Sequence, residues 1–448
     1  MWKAFANSWK VPELRRRAGM TFALIAVYRA GAFIPLPGID GAALTQFFDT
    51  MTQQLGETLF TLMDLFSGGS LSGMTIFALG IMPTITASII MQLLIPVFPR
   101  LEHMVREEGE SGRRTFNQWT RYLTVGLGLM QSLFISLMLE NPANFGGQVM
   151  VAEPGWAFRI VTIITLTSGT AFIMWLGEQI SAYGIGNGMS ILITAGILSS
   201  LPTAVRQLWK IGNPLMAAPQ IPPATLVFML VMLVAVVLSV IAITQAQRRV
   251  PIQYARRVVG RKVYGGQTSY LPIRVNAAGV LPIIFAQSFI MMPATLFGFT
   301  RIEAFNQISH WLSPGGWIYM IFYPGLIIFF SYFYAVVQHN PLHMAEDMKK
   351  YGGFVPGIRP GKATAEFFDR LITRITLPGA IFLAIIAVIP ILISRSLGIP
   401  GLIASFFGGT SLLIVVGVTL DTLRQAESFL LMRNYEGFLT RGRLRARR

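Results

Sequence analysis

The sequence contains no cysteine and little charge, and both absences restrict what the chain can be. Its 448 residues include no Cys, so disulfides, thiol nucleophiles and cysteine metal ligands are excluded. Only 12% of the residues are charged, 53% are hydrophobic, and the mean hydropathy is +0.58. Soluble proteins carry about 25% charged residues. We therefore expect lipid, rather than water, to be the main solvent of this chain.

Motifs for catalysis, nucleotide binding and metal binding are also missing. The four His residues lie in or beside loops, without the HExxH spacing of a zinc protease. The run "GIGNG" at Gly184 to Gly188 lacks the Lys and Ser/Thr of a phosphate-binding loop and follows an apolar run. We interpret it as a tight turn between helices. The sequence thus predicts neither an enzyme nor a cofactor or metal site.

Long apolar runs are what the sequence has in abundance. A helix needs about 20 apolar residues to cross a hydrocarbon core. Ten runs satisfy this within a few residues at each end: 18–37, 74–98, 119–139, 156–177, 188–208, 223–246, 275–298, 316–338, 372–394 and 403–424. The first has no small-residue cleavage site after it, so it is interpreted as a retained span. The predicted fold class is an all-α polytopic membrane protein with ten transmembrane helices.

The positive charge is distributed very unevenly between the two sides of these spans. Of the 36 Lys and Arg residues, 30 fall in segments 1–17, 100–121, 248–274, 349–374 and 424–448. Basic residues in short loops stay cytoplasmic, so both termini are predicted to be cytoplasmic. Topology retention and contact with anionic phospholipids explain part of the excess charge of +16. A negatively charged partner, either RNA or an acidic protein surface, is the alternative explanation.

Two of the basic segments are longer than a helix connection requires. In 247–274, basic residues alternate with β-branched and aromatic ones around a "GG", which predicts a two-stranded hairpin projecting from the membrane. In 339–373, a short polar helix, "PLHMAEDMKKYG", precedes "GGFVPGIRPGKAT", where Pro and Gly predict a stiff turn around Arg359. Long loops of this kind are usually functional.

One apolar segment is too short to cross the membrane. "LFTLMDLFSGGSLSG", from Leu59 to Gly73, ends in Gly and Ser and is typical of a half-helix. Non-helical backbone at membrane depth is tolerated only inside protein or beside a water-filled cavity. The segment is therefore expected to line or fill a cavity, with an amphipathic helix on the outer surface as the alternative.

The span centres carry no Lys, Asp or Glu, and Arg29 is the exception among basic residues. Ion-coupled transporters place ionisable groups near the midplane to bind substrates and ions. This absence argues against a secondary transporter of a small solute, which would share the span count and the broken helix. A simple ion channel remains a third possibility. Apolar and small residues favour close packing or a hydrophobic gate.

Several long runs resemble the SecY family of protein-conducting channels. They are "FALGIMPTITASIIMQLL", "EGESGRRTFNQWTRY", "MWLGEQISAYGIGNGMSI", "LPIRVNAAGVLPIIFA", "GGFVPGIRPGKAT" and "FGGTSLLIVVGVTLD", in the family's order. The resemblance implies two pseudo-symmetric five-helix halves, 1–210 and 211–448, hinged near residues 202–223, with a re-entrant plug half-helix. It also implies a channel that passes unfolded, signal-bearing polypeptides and releases transmembrane helices laterally into lipid.

The same resemblance assigns residues to three parts of such a channel. The pore ring would be Ile81, Ile85, Met189, Ile193, Ile284 and Ile414, with Met189 replacing the usual branched aliphatic residue. The plug would comprise Leu59, Phe60, Leu62, Met63, Leu65, Phe66, Gly68 and Gly69. The lateral gate, formed by spans two and three against seven and eight, would include Thr86, Gln131, Asn276 and Met292.

The resemblance further implies partners and a location. Arg256, Arg257, Arg261, Lys262 and Arg359 would dock the ribosome or the motor ATPase SecA. The small membrane subunits SecE and SecG would accompany the channel, and the location would be the cell inner membrane. Because neither long loop has an NTPase signature, the energy for transport would come from these partners.

Overall fold

A computed structural model of the chain describes residues 11–41, 44, 47, 59–142, 148–212, 222–254, 257–259, 262–264, 268–276, 278–298, 316–397, 399 and 401–441. Helices account for most of this part. In the first half they are α1 Pro12–Gly31, α2 Leu59–Ser67, α3 Met82–Leu94, α4 Pro99–Arg106, α5 Gly109–Leu139, α6 Trp156–Tyr183 and α7 Gly188–Gly212. In the second they are α8 Pro223–Gln245, α9 Leu281–Gly298, α10 Trp317–Gln338, α11 Pro341–Lys350, α12 Lys362–Leu397, α13 Gly401–Gly408 and α14 Thr410–Arg441.

Every one of the ten expected spans overlaps a helix of the structure. Within the described residues, seven helices are long and apolar enough to cross a membrane, and an eighth span results if the bent pair α3 and α4 is counted as one. The axes of that pair differ by 106°. Helix α1 also has 20 residues, although Glu13 and its arginines make its first half polar. The protein is therefore a multi-pass membrane protein.

Several spans differ from their expected bounds: α1 ends at Gly31 rather than at 37, α5 and α12 begin at Gly109 and Lys362 rather than at 119 and 372, and the second and tenth spans are also interrupted or extended. Helix α3 begins at Met82 rather than at residue 74, because the apolar segment before it forms turns with Met74 at φ 38° and Gly80 at φ 56°. Thr75 of that segment forms a β-bridge with Pro35. The tenth span is divided at Gly409 into α13 and α14, and α14 continues to Arg441, well beyond the expected end at 424. Apolar composition therefore marked buried chain without distinguishing helix from turn.

Local sequence explains several helix boundaries. Pro12 and Pro83 occupy the first turn of α1 and α3, where the missing N–H has no intrahelical partner to lose. The carboxamide of Asn340 caps α11 by accepting the N–H of Leu342 at 3.0 Å. Prolines inside α7, α9, α10 and α12 are compatible with helices whose freed carbonyls are satisfied by their neighbours.

The two long segments 247–274 and 339–373 contribute to a small β-structure. The strands are β1 Gln247–Tyr254, β2 Arg257–Val259, β3 Lys262–Tyr264, β4 Thr268–Arg274 and β5 Gly353–Phe354. They form a three-stranded sheet in the order β4-β1-β5 and a two-stranded sheet of β2 and β3. Antiparallel β1 and β4 pair Val250 with Leu271, and β2 pairs with β3, so the predicted hairpin is confirmed. Strand β5 of the second segment joins the free edge of β1. The predicted polar helix is α11, and Gly357 and Gly361 adopt positive φ on either side of Arg359.

The core is a continuous apolar cluster that runs through both halves. It includes side chains from α1, α2, α3, α6 and α7 together with α8, α9, α10, α12, α13 and α14. The halves meet where α3 contacts α9 and where α7 contacts α13 and α14. A separate cluster around Val250, Val355 and Phe368 lies beneath the β-structure. The sites considered below lie at these contacts.

Candidate functional site

The six residues assigned to a pore ring come from both halves and share one environment. Ile81, Ile85, Ile193, Ile284 and Ile414 are at most 6% exposed. All five belong to the apolar cluster that joins the halves, and Met189 packs against it as a partly buried side chain. Ile81 immediately precedes α3, Ile85 lies in α3, and the others lie in α7, α9 and α14. The structure thus places five of these side chains within one apolar cluster that spans both halves, and Met189 against it.

Met189 differs from the other five in that its side chain lies against a glycine, Gly177 of α6. A Cβ placed on Gly177 of α6 would lie 2.7 Å from the sulfur of Met189, so this thioether occupies the space that the glycine leaves. Methionine is flexible and polarizable, which suits it to irregular gaps of this kind. In this conformation its side chain packs against α6, within the first half.

The short helix α2 ends inside the same apolar cluster. Leu65 and Phe66 are each 3% exposed and belong to the cluster, and Met63 packs against it. Leu59, Phe60 and Leu62 lie in the helix backbone, but their side chains are outside the described part of the chain. Gly68 and Gly69 follow the helix at φ 70° and 84°, the left-handed region that favours glycine. The expected half-helix is therefore confirmed as a helix of nine residues with a glycine turn.

Hydrogen bonds within residues 64–72 give this turn a definite shape. The carboxylate of Asp64 accepts the N–H of Ser72 at 2.8 Å, and the carbonyl of Asp64 accepts the N–H of Gly69 at 2.9 Å. The hydroxyl of Ser67 donates to the Asp64 carbonyl and accepts the N–H of Leu71. The segment after α2 is thus a closed turn held by its own side chains.

Donors from α1 and α7 contact the carbonyls at the end of α2. The Tyr28 hydroxyl donates to the Ser67 carbonyl at 3.2 Å, and the Arg29 guanidinium donates to the Gly68 carbonyl at 2.9 Å. The Ser199 hydroxyl lies 3.3 Å from the same Gly68 carbonyl, but its shorter bond, at 2.6 Å, goes to the Gly196 carbonyl of its own helix. Sequence reasoning noted Arg29 as the charge within a span but gave it no role.

Polar side chains occur in both helices of the seam between α3 and α9. The hydroxyl of Ser288 lies 3.9 Å from the sulfur of Met82 across the seam. The Oγ1 atom of Thr84 in α3 and the Oε1 atom of Gln287 in α9 are buried without a hydrogen-bond partner in the described structure. Sequence reasoning missed Ser288 and Gln287, although small or polar residues inside an otherwise apolar span were the available signal.

The four residues assigned to the lateral gate lie in different environments. Thr86 in α3 and Gln131 in α5 are buried, at 5% and 9% exposure. Asn276 donates its amide to the Gly279 carbonyl at 2.9 Å, so that bond holds the turn before α9 instead of crossing the seam. The side chain of Met292 is outside the described part of the chain. The structure therefore does not join these four into a single polar contact.

The expected docking residues are only partly within the described structure. Arg359 is exposed, and its carbonyl accepts the Thr364 hydroxyl at 2.8 Å, which fixes the turn from which its side chain projects. Arg257 and Lys262 are described in their backbones alone, in strands β2 and β3. Arg256 and Arg261 lie outside the described residues. Because β5 joins β1, Arg359 is carried on the same β-structure as the hairpin.

A polar cavity of about 240 Å³ lies between the halves on the side of the β-structure. Asn187 and Ser190 line it from the first half, and Arg274, Asp421 and Arg424 line it from the second. Arg424 donates to the Thr244 carbonyl at 2.8 Å. Burial and the nearby Arg274 charge lower the pKa of His339, which follows α10, below its ordinary value. Sequence reasoning did not identify this cavity, whose residues are dispersed along the chain.

The "GIGNG" turn between α6 and α7 joins three parts of the molecule. The Ile185 N–H donates to the Thr21 hydroxyl of α1 at 3.1 Å, and the Gly186 N–H donates to the carboxamide of Gln425 in α14. Arg17 of α1 stacks over the Phe429 ring of α14, with its guanidinium carbon 4.8 Å from the ring centroid. The predicted tight turn is confirmed, and it also connects the first half to the last helix.

Comparison with known proteins agrees with this arrangement. The family model SecY matches residues 75–423. The protein translocase subunits SecY of Thermotoga maritima and Thermus thermophilus are 41% and 43% identical, each over the full length of both chains. A solved structure described as a protein conducting channel superposes with a TM-score of 0.62, at 18% identity and 98% coverage of each chain.

Two further solved structures share the fold. One, reported for its SecY plug domain that stabilizes the closed state of the translocation channel, has a TM-score of 0.60 at 19% identity and 98% coverage of each chain. Sec61 in a canine ribosome-channel complex has a TM-score of 0.58 at 17% identity and the same coverage. With the family model covering most of the chain and two full-length relatives above 40% identity, this chain belongs to the SecY family.

Proposed function

We propose that the chain forms the protein-conducting channel of a Sec translocase, closed in this structure by its apolar ring and by α2. The observation that carries the proposal is that the residues assigned to the ring, contributed by both halves, and the apolar side chains of α2 belong to or pack against one apolar cluster. A translocating polypeptide varies in size, charge and polarity, so its channel needs a loose apolar grip rather than a specific binding site. Transport, not catalysis, is the function of such a chain.

The ring would seal the channel by two physical effects. Branched aliphatic side chains leave no polar partner for water, so an empty narrow ring dewets and blocks ions. When a polypeptide occupies the ring, the same side chains pack around it without requiring a particular sequence. Helix α2, with Leu65 and Phe66 in contact with the cluster, would act as the plug that supports this seal.

The seam between α3 and α9 would serve as the lateral gate. Its polar contact among the described residues joins Ser288 to the sulfur of Met82, and interhelical polar contacts in membranes are worth about 0.6 kcal/mol on average. A seam with such modest polar contacts can open when an apolar signal helix supplies better packing. Thr86 of α3 and Gln131 of α5 are both buried and would contribute to this gate.

The β-structure with Arg359 would dock the partners that supply energy. The exposed turn around Arg359, together with Arg256, Arg257, Arg261 and Lys262 of the hairpin, offers positive charge to SecA or to ribosomal RNA. Ribosome docking is supported by the canine Sec61 complex and by a yeast Ssh1 complex bound to the ribosome, which has a TM-score of 0.57. SecE and SecG would complete the translocase in the cell inner membrane, with both termini cytoplasmic and anionic phospholipids beside the basic face.

A test of docking uses the sign of one charge. Arg359→Glu should abolish SecA-driven preprotein uptake into reconstituted vesicles while leaving insertion of the channel itself unchanged. Arg113→Glu is the matched control, because Arg113 is also exposed and the change in net charge is identical. Uptake that survives Arg359→Glu would remove this residue from the docking surface.

Vesicle experiments also separate the channel from the two alternatives. Uptake of a radiolabelled small solute, without SecA-dependent uptake of a preprotein, would favour a secondary transporter. Steady selective conductance of the intact chain would favour a simple ion channel. We expect little conductance until residues 60–72 are deleted, because this deletion removes most of α2 and its glycine turn.

A further inference from the structure

Arg29 lies in the last turn of α1, and the structure gives it a specific partner. Its guanidinium lies over the Phe33 ring at 5.3 Å and donates to the Gly68 carbonyl at 2.9 Å. A charged side chain at membrane depth is costly and is retained where it has a partner or a function. Here the partner is the backbone of the plug, 39 residues away in sequence.

The end of α2 is chemically suited to receive a cation. The last carbonyls of a helix have no intrahelical partner, and the helix dipole makes this end negative. Gly68 O receives the Arg29 guanidinium, and the adjacent Ser67 O receives the Tyr28 hydroxyl. Two neighbouring side chains of α1 therefore satisfy the carbonyls at the end of α2.

The fit around these carbonyls is close enough to define one position of the plug. A Cβ on Gly68 would lie 2.9 Å from the Gly196 Cα atom, and a Cβ on Gly196 would lie 3.1 Å from the Phe66 carbonyl oxygen. Backbone therefore meets backbone between α2 and α7. Tyr28 is held in turn by stacking on Phe77, with ring centroids 6.0 Å apart.

We propose that Arg29 is the latch of the plug, the residue whose bond to Gly68 O holds α2 in place, and that Tyr28 is a positioning residue that aligns the adjacent Ser67 carbonyl. The proposal rests on the proposed function of α2 and adds the residue that controls its release. Apolar packing resists displacement of α2 but does not depend strongly on its exact position. A charged donor directed at Gly68 O stabilises one position of α2 over others. When α2 leaves this position, the hydrogen bond between the Arg29 guanidinium and the Gly68 carbonyl is broken, and the free energy lost favours return of the plug.

The test measures how often the plug leaves its seat. Ser70 is 0% exposed and its hydroxyl has no hydrogen-bond partner in the described structure, so Ser70→Cys should be tolerated. The natural chain has no cysteine, which makes this thiol unique. Channels in lipid nanodiscs would receive a water-soluble maleimide from both faces, and the labelling rate would be followed by mass spectrometry.

Substitutions at the latch should raise this rate in a definite order. Arg29→Met removes the charged donor and should accelerate labelling about 10- to 100-fold, the range expected for a charge-assisted hydrogen bond. Arg29→Lys keeps the charge and one donor and should have a smaller effect. Tyr28→Phe keeps the ring that stacks on Phe77 and should give an increase of a few-fold.

Arg159→Met is the matched control, because Arg159 is also a paired arginine at the start of a membrane helix but bonds Glu140 rather than the plug. It should leave the labelling rate unchanged. Equal labelling rates for Arg29→Met and the parent chain would overturn the latch, provided that thermal unfolding curves show both chains to be folded. If Arg29→Met does not fold, Arg29→Lys and Tyr28→Phe decide the matter in the same assay.

Preprotein uptake into vesicles, measured with the parent chain, keeps the two proposals distinguishable. Uptake by the parent together with labelling unaffected by the latch substitutions would overturn the latch and leave the channel function intact. Absence of uptake by the parent, with labelling accelerated by Arg29→Met, would overturn the channel function. The proposal that Arg29 holds α2 in place would still be supported.

Discussion

At the scale of single residues, the ring depends on side chains that are unremarkable by themselves. Ile193 and Ile197 lie one turn apart on α7, are 2% and 0% exposed, and belong to the same cluster. Only Ile193 is assigned to the ring. Composition and burial cannot separate a gating isoleucine from a packing one, so the distinction must be made by its effect on ions.

Ile193→Ser and Ile197→Ser make that distinction. Each substitution should lower the free energy of unfolding by about 2–4 kcal/mol, because each leaves a small cavity and a buried hydroxyl. Ile193→Ser alone should raise ion conductance across planar bilayers, since a hydroxyl in the ring favours wetting. Equal conductance of the two variants would remove Ile193 from the seal.

At the scale of elements, glycines determine how closely the segments approach. A Cβ on Gly169 of α6 would overlap the carbonyl oxygen of Ile76, in the turns that precede α3. Gly126 of α5 has open space instead, with no atom within 4 Å of the corresponding position. The close approach of α6 to these turns therefore requires Gly169.

Gly169→Ala should destabilise the chain by about 1–3 kcal/mol, because backbone must move to make room. Gly126→Ala should instead be neutral or stabilise by about 0.5–1 kcal/mol, since alanine is the better helix former. Thermal unfolding in detergent with a fluorescent reporter compares the two. A Gly169→Ala chain as stable as the parent would mean that α6 can shift away from Ile76.

A second element-scale contact links the end of α5 to the start of α6. Glu140 accepts two hydrogen bonds from the Arg159 guanidinium and one from the Gly155 N–H at 3.0 Å. The bonds from Arg159 lower the pKa of the Glu140 carboxyl below its ordinary value, with burial opposing the shift. A carboxyl whose folded pKa is depressed stabilises the fold above its unfolded pKa, and this contribution is lost as pH falls through the folded value.

The thermal midpoint of the parent chain should therefore decline as pH falls below the range of an ordinary glutamate. Glu140→Gln cannot titrate and should show a smaller decline over that window, with a lower midpoint near neutral pH. Differential scanning measurements across this pH range provide the comparison. Parallel curves for the two chains would show that Glu140 carries no pH-dependent stability.

At the scale of the whole molecule, local patterns predicted the elements better than their partners. The ten spans, the half-helix and the hairpin follow from run length, from the glycine pair after Phe66 and from alternation. Apolar residues 74–81 were wrongly included in the second span because buried turns and buried helix share a composition. Asn276 donates one hydrogen bond locally, to the Gly279 carbonyl, and its place in the seam stays a prediction.

The contacts that join distant parts could not be predicted, since they depend on packing. The bond from Arg29 to Gly68, the pairing of β5 with β1 and the bond from Gly186 to Gln425 each connect segments far apart in sequence. The last of these, with the stacking of Arg17 on Phe429, ties the halves together beside α7. Among the side chains that the structure describes, the α3–α9 seam shows only the weak contact of Ser288 with Met82 as a polar tie. The halves should consequently separate at the seam and pivot at α7 and α14.

Crosslinking the seam tests that asymmetry. Met82→Cys combined with Ser288→Cys places two thiols where side-chain atoms now lie 3.9 Å apart, in a chain that has no other cysteine. A short bifunctional thiol reagent with a reducible linkage should block preprotein uptake into vesicles, and a reductant should restore it, because the halves can no longer part. Each single-cysteine variant, treated identically, should transport as the untreated chain does. Uptake that continues in the crosslinked double variant would show that polypeptides pass without separation of α3 from α9.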